Sequence, residues 1–127
     1  MKARHVIGLS MLAGVALGAA AIQAVYAQAK TPVYAVIEIT TITDPEGYDA
    51  IRKVPNANMP IRAQGGHYIA SSEKITVLDG PAPKRFAIIA FDSEEKAQAW
   101  YNSPEQNKVN DIRRKTTNSR LFIVEGM

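Results

Sequence analysis

A chain of 127 residues with 15 Lys and Arg, 12 Asp and Glu and a formal charge of +3 has room for one domain with a modest core. It has no cysteine, which excludes disulfides, thiol catalysis and thiolate metal sites. Its basic residues fall in short, separated groups such as Lys84-Arg85 and Arg113-Arg114-Lys115, so nucleic acid is excluded as the main partner.

Residues 1–27 read as a secretory signal peptide, with Lys2 and Arg4 at a basic start, an apolar run over Val6–Ala27 and small residues at its exit. A retained membrane anchor is the competing reading, opposed by the many Ala and Gly residues that make the run a weak span. Cleavage is expected after Ala27, with Ala29 as the second candidate, and it leaves 28–127 as a single domain. Losing Lys2 and Arg4 lowers Lys plus Arg from 15 to 13 against 12 acids, so the net charge falls from +3 to +1. A periplasmic or secreted protein is expected, with no stable membrane association after cleavage.

Val33–Ile42 (VYAVIEITTI) is rich in β-branched residues and reads as a strand with neither face clearly polar. Asp44-Pro45-Glu46 starts a helix, with Asp as N-cap, Pro at the first position and an acid in the first turn. Tyr48, Ile51 and Val54 mark its buried stripe, and Pro55 and Pro60 break it, leaving a second short piece that ends at Gly65-Gly66. The double glycine suits a turn needing positive φ and is not a phosphate cradle, since no helix follows it. Gly66–Asp79 is expected to form one long bent strand, or a strand plus an edge extension over Ile75–Leu78. Arg85–Asp92 (RFAIIAFD) is the clearest strand, apolar on both faces. A helix capped by Asp92 or Ser93 follows and carries Ala97, Trp100 and Tyr101; Ser103-Pro104-Glu105-Gln106 then restarts it with a capping box. Val109 and Ile112 are expected to face inward, Arg113-Arg114-Lys115 to form a solvated helix end, and Leu121–Glu125 to be the last strand.

The order β-α-β-β-α-β is the α+β, ferredoxin-like layout: an antiparallel sheet with two helices on one face. Strands covered on one face only should alternate apolar and polar, and three of these four do not. The expectation is a homodimer in which a second copy of the sheet covers the bare face. A ligand-filled cleft in a monomer is the alternative.

Asp44-Pro45-Glu46-x-Tyr48, Gly65-Gly66, Val77-Leu78-Asp79-Gly80, the run from Phe91 through Ala99-Trp100-Tyr101-x-Ser103-Pro104-Glu105, and Val124-Glu125-Gly126 together resemble the domain-of-unknown-function family 1330. The likeness covers essentially the whole mature chain. It implies a dimeric α/β barrel, similar to the wider group that includes cofactor-independent monooxygenases and small lactone isomerases, and it implies no agreed activity. The chain departs from the family pattern at His67, where Arg is usual, at Gln64 and Gln106, where aromatics are usual, and at Ala90, where Glu is common.

Two residues are candidates for catalysis. His67, the one histidine after the leader, suits a general base, or else it simply enters a strand and hydrogen-bonds a neighbour. Glu38, inside an apolar strand, suits proton transfer if buried, or else pairs with a cation such as Arg85; either way it should point away from the helices. Tyr48, Tyr101 and Arg85 are the candidate pocket residues, and Trp100 is assigned to packing. One His with scattered carboxylates lacks transition-metal spacing, so neither metal nor cofactor is expected. The function expected is a small exported dimer that binds an apolar or weakly acidic molecule in its barrel, with cofactor-independent proton transfer or oxygenation as its chemistry. A non-catalytic binding or dimerisation module is the alternative.

Overall fold

The computed structural model describes residues 31–127; the expected signal peptide and its cleavage point lie outside the described residues. Four strands form one antiparallel sheet: β1 (Val33–Ile42), β2 (His67–Ser72), β3 (Arg85–Phe91) and β4 (Thr117–Glu125). Their spatial order is β2-β3-β1-β4, so the two strands read as apolar on both faces, β1 and β3, lie in the middle. The helices are α1 (Pro45–Asp49), continued by a 3₁₀ turn over Ala50–Lys53, then α2 (Met59–Ala63), α3 (Glu94–Tyr101) and α4 (Pro104–Thr116). This is the α+β, ferredoxin-like fold.

Three of the four helices start at a capping side chain. The Asp44 carboxylate accepts the Gly47 N–H at 3.1 Å and Pro45 fills the first position. Ser93 and Ser103 cap α3 and α4 by accepting the N–H groups of Lys96 and Gln106. The first helix stops early because Val54, which precedes Pro55, takes an extended conformation with ψ 118°. Ahead of β2 the two glycines do different jobs. Gly65 has φ +69°, whereas a Cβ on Gly66 would lie 2.5 Å from the Phe91 ring, so only the first needs the positive φ.

Register sorts the side chains. Val33, Ala35, Ile37 and Ile39 of β1 pair with Phe91, Ile89, Ala87 and Arg85 of β3 on the helix side. The core fills one end of that side: Trp100 and Phe91, with ring centroids 5.5 Å apart, pack with Ile89, Val33, Ala35, Ile61 and Ala97. The opposite face carries Tyr34, Val36 and Glu38 of β1, Phe86, Ile88 and Ala90 of β3, and Phe122 and Val124 of β4. Phe122 and Val124 are 41% and 46% exposed, so this face is apolar and partly open.

Three expectations change. Ile75–Leu78 forms no strand: β2 ends at Ser72, and Leu78 sits 95% exposed in the loop that follows. The free outer edge of β2 takes no partner from it, and the chain re-enters the sheet only at Lys84, whose N–H donates to the Ile39 carbonyl ahead of β3. The last strand begins four residues early, at Thr117, directly after α4, because Thr117 and Asn118 pair with Ile42 and Thr41 beyond an irregularity in β1. Finally, the buried stripe of α4 is polar. Gln106, Asn110, Arg113 and Thr116 are buried, while Val109 and Ile112 are only half-buried. Of the basic trio, Arg114 and Lys115 are exposed as expected, but Arg113 is enclosed between α4 and the sheet.

Candidate functional site

The short α1 and the polar stripe of α4 leave part of the sheet uncovered. Ile37 and Ile39 of β1 and Arg85 and Ala87 of β3 form the floor of a cleft of about 270 Å³ on the helix side. One wall comes from Tyr48 and the 3₁₀ turn (Ile51, Arg52), the other from Gln106, Val109 and Arg113 of α4. Tyr68, Ser71 and Glu73 close the rim beside β2. The Thr43 and Asp44 N–H groups donate to the Thr116 carbonyl at 2.8 and 3.2 Å, which holds the start of α1 against the end of α4 and fixes the width between the walls. The space lies below the usual range for drug-sized ligands, so it suits a small molecule.

The α4 wall is a chain of buried hydrogen bonds. Asn110 Oδ1 accepts from Gln106 Nε2 at 2.9 Å and from Arg113 Nη2 at 3.3 Å, and Asn110 Nδ2 donates to the Tyr101 carbonyl at 3.4 Å. Arg113 Nη1 donates to Ser119 Oγ at 2.9 Å, while Arg113 Nε finds no partner. Burial pushes the pKa of the Arg113 guanidinium down from its ordinary value, an effect the nearby Tyr101 partly offsets. Across the cleft, Arg85 Nη2 donates to Ser71 Oγ at 2.8 Å, and Arg85 Nη1 stands 3.7 Å from Glu73 Oε1. Partial burial pushes the Tyr68 phenol up, opposed by the Arg85 cation.

The sequence candidates fall in three places. Tyr48 and Arg85 line the cleft. Tyr101 lies outside it, its hydroxyl accepting from Arg114 Nη2 at 2.7 Å. Glu38 and His67 lie on the other sheet face, opposite Phe86 and Ala90 respectively, so the register holds them apart and away from the cleft. Glu38 points away from the helices, and its cation is Arg120, directly opposite in β4, rather than Arg85; Arg120 Nη2 donates to Glu38 Oε2 at 3.2 Å. His67 is exposed.

The polar cleft residues Arg113, Gln106, Arg52, Tyr68, Ser71 and Glu73 were not singled out as pocket residues from the sequence. The signal for two of them was present, because Gln106, Asn110 and Arg113 recur at helical spacing on one side of α4. Among the described residues no group of three His, Asp or Glu side chains is placed to hold a metal ion.

A sequence model of the family described as a domain of unknown function, DUF1330, matches residues 32–127. No curated protein matches the chain. Among solved structures, the RPA0582 protein of unknown function from Rhodopseudomonas palustris is 16% identical with a TM-score of 0.57, over 81% of this chain and 92% of that one. SnoaB, a cofactor-independent oxygenase from Streptomyces nogalater, is 11% identical with a TM-score of 0.52, over 76% and 94%. A Bacillus halodurans protein of the ethyl tert-butyl ether d (ethd) family is 16% identical with a TM-score of 0.54, over 76% and 99%. At these identities the likeness is one of fold.

Proposed function

The chain belongs to this family of unknown function, and from that premise we propose that it is an exported homodimer binding a small apolar or weakly acidic molecule in the helix-side cleft of each copy. One observation carries the reading: Ile37, Ile39 and Ala87 give the cleft an aliphatic floor, with Arg85 beside them and the other polar groups on its walls and rim. Filling the cleft tests it. Val109→Trp, at a half-buried wall position, should abolish the calorimetric binding of small aromatic probes such as indole and benzoate without loss of helical signal. Unchanged binding in that variant would remove the cleft from the reading.

Self-association is supported by the second sheet face, where exposed Phe122 and Val124 flank half-buried Tyr34, Phe86 and Ile88. Sedimentation should show a dimer that Val124→Arg dissociates; a wild-type monomer at high concentration would refute it. Export rests on the character of residues 1–27, and N-terminal sequencing of the mature protein should begin at Gln28, or at Lys30 for the second cleavage point. Proton transfer or oxygenation at Glu38 and His67 is the finer part of the proposal, and SnoaB offers a cofactor-independent oxygenase of similar fold. Because both residues sit on the sheet face away from the cleft, a substrate for them would lie between two copies. The alternative, a non-catalytic dimerisation module, predicts that neither Glu38→Gln nor His67→Ala alters any ligand response.

A further inference from the structure

We propose that the ligand of the helix-side cleft is a small monocarboxylate with an apolar body, its carboxylate held by Arg113 with Arg85 opposite. This rests on the cleft being the binding site. Arg113 is 7% exposed, and no carboxylate stands within ion-pair distance of it among the described residues. Its two terminal nitrogens are engaged by Ser119 and Asn110, both neutral, and its Nε–H has no acceptor although the side chain lines the cleft. A buried cation with an unused donor carries a desolvation penalty that no carboxylate offsets and that the nearby Tyr101 offsets only in part, and an anion in the cleft would offset the rest.

The rest of the lining decides which anion. Arg52, Arg85 and Arg113 face the cleft with Glu73 as the one acid, so the site holds an excess of positive charge. Glu73 already stands beside Arg85 and Arg52 is exposed to solvent, which leaves Arg113 as the buried cation without a counter-ion and favours a single negative charge beside it. Ile37, Ile39, Ile51, Ala87 and Val109 offer no polar atoms beyond their backbone, so the remainder of the ligand is apolar. Inorganic phosphate supplies the charge and no body to fill that part. An Arg guanidinium and a carboxylate have matching planar geometries, and each Arg113 Nη keeps one unused N–H for the anion, while Nε is sealed from solvent in the ligand-free chain.

The full chain is titrated calorimetrically with benzoate and hexanoate, with their neutral amides, and with inorganic phosphate. Both carboxylates should bind about tenfold to a hundredfold more tightly than their amides, the range expected for a charge-assisted contact. Arg113→Met should erase that preference, and Arg85→Gln should reduce it. In case the first variant misfolds, the Arg113 Nε–H resonance of the wild type provides a second reading: it should move downfield with benzoate and stay put with benzamide. Equal binding of acids and amides would overturn the anion assignment while leaving the cleft as a binding site. Tight phosphate binding with weak carboxylate binding would overturn the carboxylate assignment. Binding of none of the probes would overturn both.

Discussion

Arg113→Met in the ligand-free protein should leave stability unchanged to within about 1 kcal/mol, or raise it. Replacing a buried, 7% exposed arginine ordinarily disrupts a fold by stranding its partners, and here the partners are not stranded. Asn110 Oδ1 keeps the Gln106 Nε2 donor at 2.9 Å, and Ser119 Oγ keeps the Thr117 hydroxyl at 2.9 Å. The loss is therefore two hydrogen bonds from a charged donor, about 3 kcal/mol together at the lower end of their range. Against this stands the desolvation of a cation without a counter-ion, itself several kcal/mol, which the neutral methionine does not carry. The two terms nearly cancel. Urea unfolding at neutral pH should give a midpoint equal to or above that of wild type, with an unchanged slope. A destabilisation of about 3 kcal/mol or more would refute the reasoning, because it would mean that Arg113 is a fully satisfied structural group and that the cleft holds no unpaired cation.

The double glycine makes a second test. Gly66→Ala should destabilise by about 1–3 kcal/mol in the same assay, since its Cβ would meet Phe91 ring carbons at 2.5 and 2.8 Å within the core. Gly65→Ala should cost about 1 kcal/mol for a different reason, its φ of +69°, with nothing nearer than Asp92 Oδ2 at 3.8 Å. Equal effects that track neither contact would sink the distinction. Tyr68 should ionise above the ordinary tyrosine value in an alkaline absorbance titration. Its raised pKa means that the folded state keeps the proton longer, so its contribution to stability is present below about pH 10 and is lost as pH rises through the folded value. Tyr68→Phe should remove the raised transition, and Arg85→Gln should push it later still; a titration unaltered by Tyr68→Phe contradicts the assignment.

Most of the fold was legible because it rests on local chemistry. Caps at Asp44, Ser93 and Ser103 and the break at Val54-Pro55 are written in short motifs, and the runs of β1 and β3 are apolar on both faces, although their central place in the sheet was not read from that pattern. Ile75–Leu78 misled because β propensity marks a residue that fits a pleated surface and does not supply a partner edge. The site was harder to read for a related reason. Tyr48 and Arg85 could be proposed singly, but the cleft depends on what α4 fails to fill, and that depends on which way its residues face. Reading Val109 and Ile112 as the buried stripe assumes that a helix over an apolar sheet turns its apolar side down. Here α4 turns down Gln106, Asn110 and Arg113, and the hydrogen bonds among them keep these side chains on one another instead of on the aliphatic floor. A leucine or isoleucine at those positions would fill the space and bury the half-buried Ile37 more fully, with a larger hydrophobic gain. A helix that forgoes that gain, and holds an unpaired guanidinium in the gap instead, is spending stability at the position where an occupant would return it.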